Sequence, residues 1–172
     1  MAESKMNRAQ GKPYDEILSE IQTVLGKDNA RIMAKVGLNL GKRWGEAQKE
    51  KSRQPKTLLE LWEWIANYLE NDMFVADPIQ VKQEKSGQYH IKYGEFDSDE
   101  NQCRLCVGNL VKEKGGIAAC PIMHFFIGAS RVFKNDLNFK RIQLQKITKP
   151  ASKKPGACNQ TFIVELSPTD NV

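Results

Sequence analysis

The chain has 172 residues and a mass of 19.5 kDa, 40% hydrophobic and 27% charged, which suits one globular domain able to bury a sizeable core. No stretch approaches the ~20 apolar residues of a membrane span, so no such span is expected. The net charge of +5 admits nucleic acid or another acidic partner, but the excess sits in Lys42–Lys56 and Lys146–Lys154, and neither interleaves aromatics with cations as a base-stacking surface does.

Residues 1–12 are polar and read as a tail without the apolar region of a secretory signal. A cytoplasmic, reducing compartment is therefore expected, which disfavours disulfides. Ile17, Ile21, Val24 and Leu25 recur at helical spacing up to Gly26. A second helix, capped by Asp28 or Asn29, carries Ile32, Met33, Val36, Leu40 and Trp44 as an apolar stripe. Gly37, Gly41 and Gly45 recur every four residues on it. Each costs about 1 kcal/mol in a helix interior, so the row implies close approach by a neighbouring helix or by a ligand.

Ala47 to Lys56 reads as a polar linker, and Thr57 precedes a third helix, Leu58 to Leu69, whose Trp62 and Trp64 are assigned to the core and its edge. The period then changes. Phe74 to Glu84 and Gln88 to Tyr93 alternate around Ser86-Gly87, a hairpin signal, and Pro78 places the first strand at a sheet edge or starts it late. An acidic stretch, Glu95 to Glu100, is followed by Val107 to Val111. Ile117 to Phe133 is the most apolar segment and reads as a buried central helix. Phe139 to Ile147 and Thr161 to Leu166 alternate again, across a Lys/Pro-rich connector. Helices, hairpin, helix, hairpin is the order of an α+β fold: N-terminal helices packed on an antiparallel sheet with a central buried helix. A single domain over 13–166, with a C-terminal tail at 167–172, is expected. No phosphate- or dinucleotide-binding glycine motif occurs.

All four cysteines lie in the C-terminal part. Cys103 and Cys106 form a C-x-x-C pair, Cys120 opens Cys-Pro-Ile-Met-His, and Cys158 follows the connector. Four thiolates suit tetrahedral zinc, and equally an iron–sulfur cluster; a lone C-x-x-C does not separate the two. His124, one helical turn after Cys120, is an alternative ligand or a core histidine bonded to the backbone. Cys120 and Cys158 also fit the role of small buried apolar residues. His90 and His124 are the only histidines, and no nucleophile–base pair is visible, so no catalytic residue is assigned.

The run Cys120-Pro121-Ile122-Met123-His124-Phe125-Phe126-Ile127-Gly128-Ala129, the strand Ile142–Ile147 and the sequence Cys158-Asn159-Gln160-Thr161-Phe162 resemble the 4-vinyl reductase (hydrocarbon-binding) domain family. That family is related in fold to heme nitric-oxide-binding domains and TRAPP transport subunits. Gly37-Leu38-Asn39-Leu40-Gly41 is similar to its early glycine helix. The resemblance implies a hydrophobic small-molecule ligand, a homodimer, and a metal site retaining Cys120 and Cys158. Family members often place an acidic residue and a further cysteine before the last cysteine; Lys146 to Pro155 holds neither, and Cys103 and Cys106 would complete the set. The expected ligand room lies between the glycine helix and the sheet, lined by Gly37, Gly41, Trp44, Trp62, Phe125, Phe126 and Phe133. The alternative is an iron–sulfur redox protein or reductase component, and the second alternative a basic nucleic-acid-binding regulator.

Overall fold

The computed structural model describes residue 24 and residues 29–51, 53–73, 78–96, 120–148 and 156–167. Three helices, α1 (Asn29–Lys49), α2 (Leu58–Asn71) and α3 (Pro121–Val132), accompany four strands, β1 (Ile79–Lys85), β2 (Gln88–Phe96), β3 (Phe139–Thr148) and β4 (Gly156–Leu166). The strands form one antiparallel sheet in the order β1-β2-β4-β3. The fold is α+β, as the alternation of periods predicts. The predicted helix ending at Leu25 lies outside the described residues except for Val24, which is helical and exposed; the Val107–Val111 run and both tails, apart from Ser167, also lie outside.

Local chemistry sets the boundaries. Thr57 caps α2, its hydroxyl accepting from the Glu60 amide at 3.1 Å. Glu60 in turn accepts from the Lys56 amide at 2.8 Å and pairs with Arg53 at 3.2 Å, so its carboxyl lies below the usual carboxylate range, chiefly through the backbone bond. α1 runs on to Lys49, into the stretch expected as linker. The Gln54 amide closes its end by donating to the carbonyls of Lys49 at 2.9 Å and Lys51 at 2.7 Å. β1 begins at Ile79, directly after Pro78, and is an edge strand, so both readings of that proline hold. Gly87 turns the hairpin at φ +73° while its carbonyl accepts from the Val164 amide at 2.7 Å.

The sheet has one apolar face. Tyr89, Ile91 and Tyr93 on β2 and Gln160, Phe162 and Val164 on β4 are buried and alternate with His90, Lys92, Thr161 and Ile163 on the other side of the sheet. The aromatics of α2 and α3 close over that face in one core. α1 packs on α3, where Pro121 takes the first helical position.

Candidate functional site

Cys120 and Cys158, 38 positions apart in the chain, arrive at the same corner. Cys120 is the N-cap residue of α3, with extended backbone, and its side chain does not cap the helix. Its sulfur instead accepts from Gln160 Nε2 at 3.4 Å. Cys158 lies two residues before Gln160 on β4, so the strand's period of two gives both side chains the same face. Opposite Cys158 in the register stands Tyr93, whose hydroxyl donates to Gln160 Oε1 at 3.0 Å. Tyr93 and Gln160 are each 1% exposed, while both thiols are half-buried. A buried tyrosine–glutamine relay therefore holds the corner where the two sulfurs sit.

Cys103 and Cys106 lie outside the described residues. The strand that leads to them is placed, however. Phe96, at the end of β2, pairs with Gly156, two residues from Cys158, and the chain returns at Cys120. Cys103 stands seven residues beyond Phe96, within a reach of at most about 25 Å. Among the described residues, no three of His, Cys, Asp and Glu stand together as a metal-binding group. His124 Nδ1 lies 2.9 Å from the Cys120 carbonyl oxygen and donates to it, the backbone-bonded arrangement weighed for it from sequence; only Nε2 remains to bind anything else.

Six of the seven expected pocket residues fall into two aromatic clusters and a glycine seam, and Phe133 lies apart beside Lys49. Gly37 and Gly41 face α3, not the sheet. A Cβ on Gly37 would overlap the Pro121 carbonyl, and one on Gly41 that of Phe125. From the other helix, Gly128 meets the Leu38 carbonyl in the same way. α3 backbone thus occupies the space in front of these glycines, because only a residue without Cβ allows such an approach.

Trp62 and Phe126 are fully buried and meet edge to face, with ring centroids 5.6 Å apart, beside Tyr89 at 5.1 Å and Phe162 at 5.0 Å from Trp62. The Trp62 indole donates to Ser130 Oγ at 2.8 Å, and Ser130 donates to the Phe126 carbonyl at 2.7 Å. Burial pushes the Tyr89 hydroxyl pKa up. Phe133 is buried near Lys49, whose Nζ lies 5.9 Å from the ring centroid. Trp44 and Phe125 join Tyr68 in the second cluster, at 6.0 Å from each other and with Trp44 at 5.6 Å from Tyr68. Here, among the described residues, Trp44 Nε1 is buried and finds no hydrogen-bond acceptor.

Sequence reasoning missed Gln160, Tyr93, Ser130 and Tyr68. Gln160 shares the alternation phase of Cys158 and Phe162, but its partners Tyr93 and Cys120 lie far away in the chain. On the outer face of the sheet, His90 Nδ1 lies 3.3 Å from Thr161 Oγ1, and Nε2 lies 3.1 Å from Glu84 Oε2. The latter is an ion-pair distance without hydrogen-bond alignment, and among the described residues the buried Nε2 has no hydrogen-bond partner. No family model matches the chain, and no curated protein matches it.

Proposed function

We propose that the protein is a hydrophobic-ligand-binding or sensor domain of the 4-vinyl reductase type, with a four-thiolate metal site, zinc in the first instance, at the corner between α3 and β4. The observation that carries this reading is the approach of Cys120 to Gln160, two residues along the same strand face from Cys158. Two half-buried sulfurs at one corner, with the exit and return of the segment bearing Cys103 and Cys106 beside them, are the donors that tetrahedral zinc takes. Cys103, Cys106, Cys120 and Cys158 would hold the ion. The ion would tie a segment 23 residues long to the folded body. The relay through Tyr93 and Gln160 orients the Cys120 sulfur, as outer partners commonly do at metal sites.

For the ligand, the supporting observation is Trp44 Nε1. Among the described residues this buried donor has no acceptor, a situation that costs about 1–3 kcal/mol, and an apolar molecule carrying one carbonyl or hydroxyl oxygen would relieve that cost beside Tyr68 and Phe125. A homodimer belongs to the same proposal, supported by Ile32, Val36 and Leu40, which stand exposed four residues apart on α1.

Elemental analysis tests the metal. One equivalent of zinc per chain, lost in each of the four Cys→Ser proteins, is expected; full retention in Cys158→Ser would refute the site. Brown protein from anaerobic purification, with iron and sulfide, would transfer the same thiols to a cluster. The ligand reading is tested with prodan, an apolar naphthalene ketone. Saturable binding that weakens about tenfold in Trp44→Phe is expected. Equal binding by the variant removes Trp44 from the site.

A further inference from the structure

The sheet order leaves β3 at an edge, and among the described residues no strand pairs with its outer side. A groove of about 580 Å³ runs along that edge, lined by Arg141, Ile142, Gln143, Leu144, Gln145 and, from β4, Ile163. Five consecutive residues of one strand forming a groove wall means that the groove follows the backbone, where the outward amide and carbonyl groups of an edge strand lie. Ile142 and Leu144 are only half-buried, since each has a neighbouring strand on one side alone. Bulges between Phe139 and Arg141 and between Leu144 and Lys146 bracket a regular stretch at Arg141–Leu144.

The described strand itself, Phe139–Thr148, carries Lys140, Arg141 and Lys146 and no acidic residue. Glu165 on the adjacent strand is engaged by Lys140 at 2.8 Å. Arg141 and Lys146 are exposed and make no ion pair among the described residues.

We propose that β3 is a docking edge for an extended acidic peptide, which joins the sheet as a fifth strand and sets carboxylates against Arg141 and Lys146. The mode is strand addition: main-chain bonds give affinity, and alternate side chains give selectivity. Apolar residues of the peptide would cover Ile142 and Leu144 while its acidic residues face the cations. A second copy of the same strand is the poorer occupant. A second β3 strand carries the same Arg141 and Lys146 and no acidic residue, so pairing two copies brings cations against cations, and like charges on neighbouring strands are destabilising. Nucleic acid is poorer too, because no aromatic side chain lines the groove to stack a base.

The test uses the full chain and three fluorescein-labelled octapeptides: alternating Glu-Val, alternating Lys-Val, and Glu-Val with N-methylated backbone amides. Fluorescence anisotropy is expected to give saturable binding for the first alone, at least tenfold weaker in the Arg141→Glu/Lys146→Glu protein. Hydrogen exchange should slow at 141–147 on binding. Circular dichroism melts confirm that the variant is folded, as its two exposed positions lead one to expect. Equal binding of the Lys-Val peptide, or of the double variant, would overturn the proposal. Undiminished binding of the N-methylated peptide would reduce it to charge attraction and so overturn strand addition. Tighter binding of a DNA oligonucleotide of equal charge, or a sedimenting dimer abolished by the double variant, would each award the edge to another occupant. Absence of binding by all three peptides would leave β3 a blunted edge, and the proposal would fall.

Discussion

Helix α3 is held on two sides by opposite means. Toward α1 the contact is made by the absence of side chains: Gly37, Gly41 and Gly128 let carbonyls of one helix approach the backbone of the other. Toward α2 and the sheet it is made by bulk, with Trp62, Phe126 and Phe162 packed at ring separations near 5 Å around one satisfied hydroxyl. The first seam has no freedom to adjust, because the obstructing atoms are backbone. The second fails in proportion to what is removed.

The strongest way to break the contrast is to put a side chain into the glycine seam. Gly41→Val should abolish the cooperative thermal transition, since its Cβ would overlap the Phe125 carbonyl; a melt within a few degrees of wild type would refute the backbone-contact account. On the bulky side, Phe126→Ala should cost about 3–5 kcal/mol in urea unfolding while the fold survives. A finer cut is Trp62→Phe, which keeps most of the ring packing but leaves Ser130 without its indole donor; a loss of about 1–2 kcal/mol is expected, and no loss would mean that the relay is idle. Gly45→Ala sharpens the comparison from within the seam. There the nearest atoms to a new Cβ are Val132 Cγ2 at 3.0 Å and the Ala129 carbonyl oxygen at 3.1 Å, so a side chain can give way, and about 1 kcal/mol of helix propensity offsets the crowding. Stability within about 1 kcal/mol of wild type is expected.

The smallest effect lies outside both seams, at the start of α2. Glu60 has its folded-state pKa lowered below the ordinary 4.5, so its contribution is present above that value and lost as pH falls through the folded value. Glu60→Gln should flatten the acid limb of a stability–pH profile below about 4.5 and leave the neutral region nearly unchanged. An unaltered limb would show that the exposed carboxylate does nothing for the helix.

The sequence announced these seams unequally. Helical and alternating periods located α1, α2, α3 and the strands, because amphipathic patterning is local. Ser86-Gly87 and Pro78 marked the hairpin for the same reason. The Gly37–Gly41–Gly45 row announced close approach, yet the identity of the neighbour was hidden, since spacing records that something comes near and only the docking of α3 says what. Gln160 was hidden differently. A glutamine inside an apolar alternation reads as a surface position until Tyr93 and Cys120, each more than 35 residues away in the chain, arrive to satisfy it. The meeting of Cys120 with the Cys158 strand depends on the docking of α3 against β4, which no local pattern encodes.

The sheet order has a further consequence. β2 pairs with β4, and α1 rests on α3, so the described residues before position 97 and those after position 119 lean on each other. Neither piece owns a closed core: the first lacks a cover for α1, and the second lacks Trp62 for its aromatic cluster. Severed anywhere between positions 97 and 119, the two fragments would have to find one another to fold, which makes the molecule a natural scaffold for split-protein complementation.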